Sequence, residues 1–98
     1  MTIIILRPCP RVPHRRHVST LADDGAERAL GWVAFRETYW ESHKGERSRT
    51  REDAVRKLAE AACLAAPYHV EELAARRRRV VRCGRRVVGI TVWLERAL

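Results

Sequence analysis

Apolar and polar residues follow one another with periods that divide the chain into a few elements. The β-branched run TIIIL at residues 2–6 is typical of a strand. Residues 51–66 repeat apolar side chains at helical spacing behind Thr50, a favourable N-cap, and predict an amphipathic helix. Pro67 ends this helix and suits the first position of a second, short helix over residues 68–78.

The C-terminal part of the chain alternates with the period of two that indicates a β-hairpin. The segments VVRC and RVVGITVWLE flank Gly84 and Arg85, where we predict the turn. We expect the sheet to include residues 2–6 and 86–94, with the predicted 51–66 helix packed across it. The predicted core comprises Val55, Leu58, Ala62, Val88, Ile90, Val92 and Leu94.

Residues 20–45 fit two different patterns. Their apolar positions can be drawn on one face of a single long helix. The aromatic and strand-favouring residues in the second half of this segment favour instead a short helix or loop to about residue 30, followed by a strand at 31–41. We prefer the second pattern, with a turn at SHKGE and a short strand around residues 46–49.

Together these elements predict an α+β fold of one domain, residues 1–98. It would have a small antiparallel sheet with one main helix (51–66) and a short second helix (68–78) packed on it, and a C-terminal β-hairpin. Residues 7–20 carry three prolines and four arginines, and we expect them to form a basic, extended arm or loop.

A winged helix is the alternative fold. If residues 20–44 are helical, the chain becomes a strand, three helices and a basic hairpin that would form the wing. Residues 68–79 would then be the recognition helix in a DNA groove. That helix would end in arginines, whereas groove-reading helices present their base contacts near the start.

The step GERSRTREDAVRKLAEAA, a short strand that leads into a Thr-capped helix, resembles HicB-like and double-stranded-RNA-binding folds. The resemblance implies a small α+β module. It covers about a third of the chain, and no functional residue is carried over from it.

The formal net charge of +8 is unevenly distributed. Residues 1–22 hold four arginines and no acid, residues 23–72 hold eleven acids against eight bases, and residues 73–94 hold seven arginines and no acid. Two cationic ends around a slightly acidic middle favour a polyanionic partner.

The arginine-rich stretch RRRRVVRCGRR at residues 76–86 exceeds what local structure requires. Cations at a helix C-terminus complement the helix dipole, and charge protects a hairpin edge, but one or two arginines suffice for either role. We therefore predict an anion-binding surface in which guanidinium groups contact phosphates and an indole stacks on a base. The candidate binding residues are Arg76, Arg77, Arg78, Arg79, Arg82, Arg85, Arg86 and Trp93, with Arg15 and Arg16 from the predicted arm. Trp32 and Trp40 are expected to be core.

Several function classes find no support in the sequence. Histidines next to acids lack a third orienting group or a nucleophile, so we expect a protein that is not an enzyme. Cys9, His14 and His17 have a spacing that matches no standard zinc site, so no metal or other cofactor is expected. Three cysteines argue against a disulfide framework and favour the cytoplasm, and no apolar run reaches membrane-spanning length.

The sequence thus predicts a small, basic, non-catalytic binding protein whose partner is nucleic acid or a nucleoprotein complex. The alternative is an inhibitor of the phage or mobile-element type, anti-defence or anti-CRISPR-like, that binds a protein machine. Such a protein would direct its arginines at an acidic protein surface and use its aromatic residues as hot spots.

Overall fold

The computed structural model describes residues 1–74, 80–88 and 90–97. Strands dominate this part of the chain, and one α-helix interrupts them. In chain order the elements are β1 (Thr2–Pro8), β2 (Arg15–Leu21), β3 (Glu27–Arg36), β4 (Tyr39–Ser42), β5 (Arg47–Ser48), α1 (Arg51–Ala61), β6 (Tyr68–Glu72), β7 (Val80–Val87) and β8 (Ile90–Ala97).

Six strands form a curled mixed sheet in the order β5-β4-β3-β2-β1-β6. All neighbouring pairs are antiparallel except β1 and β6, which are parallel because the chain crosses over through α1 between β5 and β6. Strand β1 has a partner on each side, and its apolar run is buried on both faces of the sheet. The predicted strand at residues 2–6 is therefore present and extends to Pro8.

The core lies between α1 and one face of the sheet. Its strand residues come from β1, β2 and β3, and its helix residues are mostly small, which allows close approach of helix and sheet. The buried cluster comprises Ile4, Leu6, Val18, Val33, Ala54, Val55, Leu58 and Ala59. Val55 and Leu58 are thus core as predicted, whereas Ala62 is exposed and does not belong to the core.

Helix α1 begins where the sequence predicts and ends five residues earlier. The Thr50 hydroxyl accepts a hydrogen bond from the Asp53 backbone N–H at 3.1 Å, which caps the first turn. At the other end Cys63 adopts a left-handed backbone conformation, and the Leu64 N–H donates to the Ala59 carbonyl. This is a Schellman cap, and it turns Leu64 back onto the core. The prediction of a helix to residue 66 is wrong because the cap uses no glycine.

The prediction of a second helix at residues 68–78 is wrong for residues 68–74, the part of this range that the structure describes. Residues 68–72 form β6, whose register sets Tyr68 opposite Thr2 and Glu72 opposite Leu6. Tyr68 and Val70 pack against the helix-covered core, so the alternation of β6 fits the sheet. Pairing with the buried strand β1 outweighs the local helix preference of this segment.

Residues 7–20 do not form an extended arm. Strand β1 continues to Pro8, a turn occupies residues 9–14, and β2 begins at Arg15. The three prolines lie at the end of β1 and in the turn, where a missing N–H is tolerated. Within residues 7–20, only residues 9–14 form a loop.

Residues 20–45 contain no helix. Strand β3 begins at Glu27, a turn at residues 37–38 separates it from β4, and β5 follows the second turn. The expected strand at 31–41 is thus two strands, and the expected short strand around 46–49 corresponds to β5. The long helix and the winged-helix alternative that depends on it are both wrong.

Strands β7 and β8 pair with each other in a separate two-stranded sheet. Gly84 and Arg85, where a turn was predicted, lie inside β7 opposite Trp93 and Val92. The predicted fold class is therefore wrong: residues 86–94 do not join the main sheet, the main sheet is mixed, and the described residues contain one helix, not two. Of the predicted core residues in this region, Val88 is exposed; Ile90, Val92 and Leu94 have side chains outside the described part.

Candidate functional site

The sheet face turned away from α1 differs in chemistry from the face that α1 covers. Successive side chains of a strand point to opposite faces, so every second residue of β2, β3, β4 and β5 lies on this side. We call the following set the polar face: Arg15, His17, Trp32, Arg36, Tyr39, Glu41, His43 and Arg47.

Arg15 lies over the ring of Trp32. The guanidinium carbon is 3.9 Å from the ring centroid, a cation–π contact between the neighbouring strands β2 and β3. Within the described ranges no carboxylate is paired with Arg15, and its Nε is buried without a hydrogen-bond partner. The charge of Arg15 is therefore held in place by an aromatic ring, and no acid among the described residues neutralises it.

Arg47 repeats this arrangement at the other end of the polar face. Its guanidinium carbon lies 4.6 Å from the centroid of the Tyr39 ring, and in the described part of the chain Arg47 also has no acidic partner. Between the two stacks, Arg36 is paired with Glu41 at 3.1 Å. The polar face thus presents two arginines stacked on rings, with one ion pair between them.

Besides Arg36, four other described arginines are matched with acids. The Arg56 side chain donates to Glu60 at 2.8 Å, and this hydrogen bond and the charge of Glu60 raise the pKa of Arg56. Further ion pairs are Arg7–Glu27 at 2.7 Å, Arg16–Glu72 at 3.5 Å and Arg51–Glu72 at 2.7 Å. Arg15 and Arg47 are distinguished from these residues by their aromatic partners.

Gly31 leaves room for the side chain that borders the Arg15–Trp32 stack. Its φ of +147° lies in a region that favours glycine, next to a bulge between β2 and β3. A Cβ at this position would overlap the ring of His43. That ring lies 6.3 Å from the Trp32 ring, and its Nδ1 accepts from the Trp32 N–H at 3.4 Å.

A cleft of about 480 Å³ lies beside the polar face, over the hairpin of β1 and β2. It is lined by Arg7, Pro8, Pro10, His17, Ser19, Glu27 and Ala29. The buried Arg7 side chain donates to Glu27 Oε1 at 2.7 Å and to the Ala74 carbonyl at 2.8 Å. His17 lies next to both the cleft and the Arg15–Trp32 stack, because it lines the cleft and its register partner on β3 is Trp32.

The structure separates the two candidate residues of the predicted arm. Arg15 lies on the polar face, whereas its neighbour Arg16 points to the opposite face and pairs with Glu72. Alternation along β2 makes this unavoidable, so the two arginines do not serve one surface.

The C-terminal candidates are only partly described. Arg86 is exposed on β7, opposite Thr91. The register sets Arg82 opposite Glu95, the acid nearest to this arginine cluster in the pairing. Arg76, Arg77, Arg78 and Arg79 lie outside the described residues, as do the side chains of Arg82, Arg85 and Trp93.

Sequence reasoning missed most of the polar face. Trp40 packs against the core as expected, but Trp32 lies on the other side of the sheet, half-buried under Arg15. The signal was present in the alternation of β3, where Trp32 and Arg36 share a face and the buried Val33 belongs to the other. It could be used only once the strand had been distinguished from a helix.

No protein-family model, curated protein or solved structure matches the chain. Among the described residues, no helix is long and apolar enough to cross a bilayer, and no group of three or more His, Cys, Asp or Glu side chains is placed to hold a metal ion. Cys9 and Cys63 are both free thiols. The function must therefore be argued from the polar face itself.

Proposed function

We propose that the protein is a non-catalytic binding protein that holds single-stranded nucleic acid on the polar face. The observation that carries this proposal is the Arg15 guanidinium lying 3.9 Å over Trp32 without an acidic partner among the described residues. A cation positioned by a ring supplies the two contacts that single strands use, a charge for the phosphate and a planar surface for the base.

The second stack extends the surface across the sheet. Arg47 on Tyr39 lies three strands from Arg15, in the order β5-β4-β3-β2. Because neighbouring strands are about 4.8 Å apart, a short oligonucleotide can reach both arginines. Single strands suit such a surface better than duplexes, since only unpaired bases expose their flat sides to an aromatic residue.

The C-terminal arginines add positive charge to the proposal. The seven arginines at 76–86 would lengthen the electrostatic footprint without reading sequence, as backbone contacts do in general. The free thiols of Cys9 and Cys63 and the odd number of cysteines favour a reducing compartment, and we place the protein in the cytoplasm.

The test measures fluorescence anisotropy of a labelled oligothymidylate with the parent protein at several salt concentrations. We expect Arg15→Gln to weaken binding and to reduce the log–log salt slope by about 0.7 for each lost phosphate contact. Trp32→Ala should cost about 1–3 kcal/mol of binding free energy if a base stacks there. Arg28→Gln is the matched control, because Arg28 is exposed, has no acidic partner among the described residues and points to the other side of the sheet.

A second variant separates the two basic regions. Converting Arg78, Arg79, Arg82 and Arg85 to glutamine should weaken binding and lower the salt slope further, while the stacking contribution of Trp32 stays unchanged. Equal affinities for the parent, Arg15→Gln and Trp32→Ala would overturn the proposal. So would a parent that binds no oligonucleotide at low salt but captures a protein from nuclease-treated lysate, which is the result expected of an inhibitor.

A further inference from the structure

The hairpin of β7 and β8 has two outer edges that differ in charge. Strand β7 contains three arginines and no acid, whereas β8 contains one glutamate and one arginine. The first five residues of β8, ITVWL, carry no charge and no proline. Edge strands that stay unpaired usually carry charges, prolines or bulges that prevent association with another chain. The edge of β7 has this protection, and the edge of β8 lacks it over residues 90–94.

Two strands are few for a sheet of this length. An isolated hairpin is marginally stable in water, and a sheet generally needs a third strand or a packed helix for independent stability. Within the described ranges, the sheet of β7 and β8 contains no third strand. The buried residues of helix α1 belong to the core under the six-stranded sheet. Further strand pairing at an edge would therefore stabilise the hairpin.

The register determines which backbone groups of β8 face outward. Val87 is opposite Ile90, two residues lie between them, and the first of these, Val88, has the positive φ of +48° that is typical of two-residue hairpin turns. Such a turn places a hydrogen bond between its flanking residues, and hydrogen-bonded and non-hydrogen-bonded pairs then alternate along the two strands. The backbone N–H and C=O groups that point away from β7 are consequently those of Thr91, Trp93 and Glu95.

We propose that the β8 edge binds a second copy of this chain, so that two hairpins form one four-stranded sheet in the order β7-β8-β8-β7. Antiparallel pairing of two identical strands about a twofold axis uses the same groups on both copies, which makes the edge complementary to itself. This inference concerns assembly and does not rest on the proposed binding of nucleic acid.

Charge selects the β8 edge over the β7 edge. Each β8 strand has one acid and one base, so two of them meet without net charge. Two β7 strands would bring six arginines, three from each copy, to one interface, and like charges on neighbouring strands are destabilising. In the proposed sheet the arginines lie on both outer strands, where they prevent the addition of further strands and limit the assembly to two copies.

The experiment measures the mass of the full chain by sedimentation equilibrium, after nuclease treatment and at high salt, so that nucleic acid does not link two copies. We expect the parent to have twice the 11.3 kDa mass of one chain. Thr91→Pro removes an outward N–H and leaves the hydrogen bonds between β7 and β8 in place. Because the dimer loses this donor twice, its dissociation constant should rise on the order of tenfold or more.

Arg86→Pro is the matched control on the opposite edge. Arg86 is exposed and is the register partner of Thr91, so its N–H points outward from β7. This variant loses the same backbone donor from the same hairpin, and it should keep the mass of the dimer.

Amide hydrogen exchange of the parent, followed by NMR, tests the interface without a substitution. The Trp93 N–H should exchange more slowly as the protein concentration rises, because pairing with a second copy protects it. Gly84 is the register partner of Trp93, and its N–H faces outward from β7. The exchange rate of Gly84 should not depend on concentration.

A parent that keeps the mass of one chain at every concentration would overturn the inference. A dimer that survives Thr91→Pro would also overturn it, because the interface would then lie elsewhere, and on β7 if Arg86→Pro separates the copies. If both variants are monomers, hydrogen exchange decides: concentration-dependent protection of Trp93 alone supports the β8 edge, and equal behaviour of Trp93 and Gly84 contradicts it.

Discussion

The two faces of the six-stranded sheet use the same strands for opposite purposes. On the side of α1, residues from β1, β2 and β3 meet the helix in a cluster in which no residue is more than 4% exposed. On the other side, the same strands β2 and β3 present Arg15 and Trp32. Alternation of the backbone allows one strand to contribute one residue to the helix-covered core and the next to the polar face.

The side of the sheet that carries the polar face is itself uneven along the order of the strands. Near β1 its side of the sheet is apolar, since Ile3, Ile5 and Leu21 form a second small buried cluster with Leu73 packed against it. Toward β5 it carries the stacked cations. The strands that carry the arginines therefore belong to a sheet in which apolar side chains pack on both faces of β1.

The largest expected effect comes from breaking the buried ion pair beside the polar face. Arg7→Met removes the guanidinium that donates to both oxygens of the buried Glu27 carboxylate, which should lower the free energy of unfolding by about 3–5 kcal/mol in urea denaturation. The double variant with Glu27→Leu removes both charges and should recover most of the loss. A single variant as stable as the parent would show that the pair is solvated and that the two sides of the sheet differ less than we infer.

A smaller loss should follow when the helix-covered side is altered. Leu6 is fully buried under α1, so Leu6→Ala should lower the free energy of unfolding by about 2–5 kcal/mol while the salt slope of binding stays unchanged. Arg15→Gln on the neighbouring strand is the comparison, and it should cost less than about 1 kcal/mol of stability. Equal losses in the two variants would contradict the division of roles between the faces.

A loss smaller than those of the buried ion pair and of Leu6 should come from the glycine that makes room for His43. Gly31→Ala forces a left-handed backbone on a residue with a Cβ and displaces the His43 ring, and it should lower the free energy of unfolding by about 1–3 kcal/mol. Gly45→Ala is the control, since Gly45 also has a positive φ but faces open space. In NMR spectra only the Gly31 variant should shift the Trp32 indole signal. Identical spectra for the two variants would mean that His43 does not position the stack.

The elements that could be predicted from the sequence are those with strong local signals. The strand at β1 and the start of α1 can each be recognised from a few consecutive residues, because a β-branched run or a capping hydroxyl acts locally. The uneven charge could also be counted directly. Within the candidate site, the sequence marked Arg15 only as part of a predicted basic arm, and its partner Trp32 was expected to be core.

Tertiary structure decided the remaining features. Glu71 and Glu72 look like the start of a helix, yet pairing with β1 makes them part of a strand. The helix ends at a cap formed by Cys63, and Leu64 packs back onto the core. Neither Cys nor Leu is a residue type that signals the end of a helix. The face on which Trp32 lies depends on the register of β3 between β2 and β4. These outcomes come from contacts between residues far apart in sequence, and shifting a strand by one residue would exchange its faces.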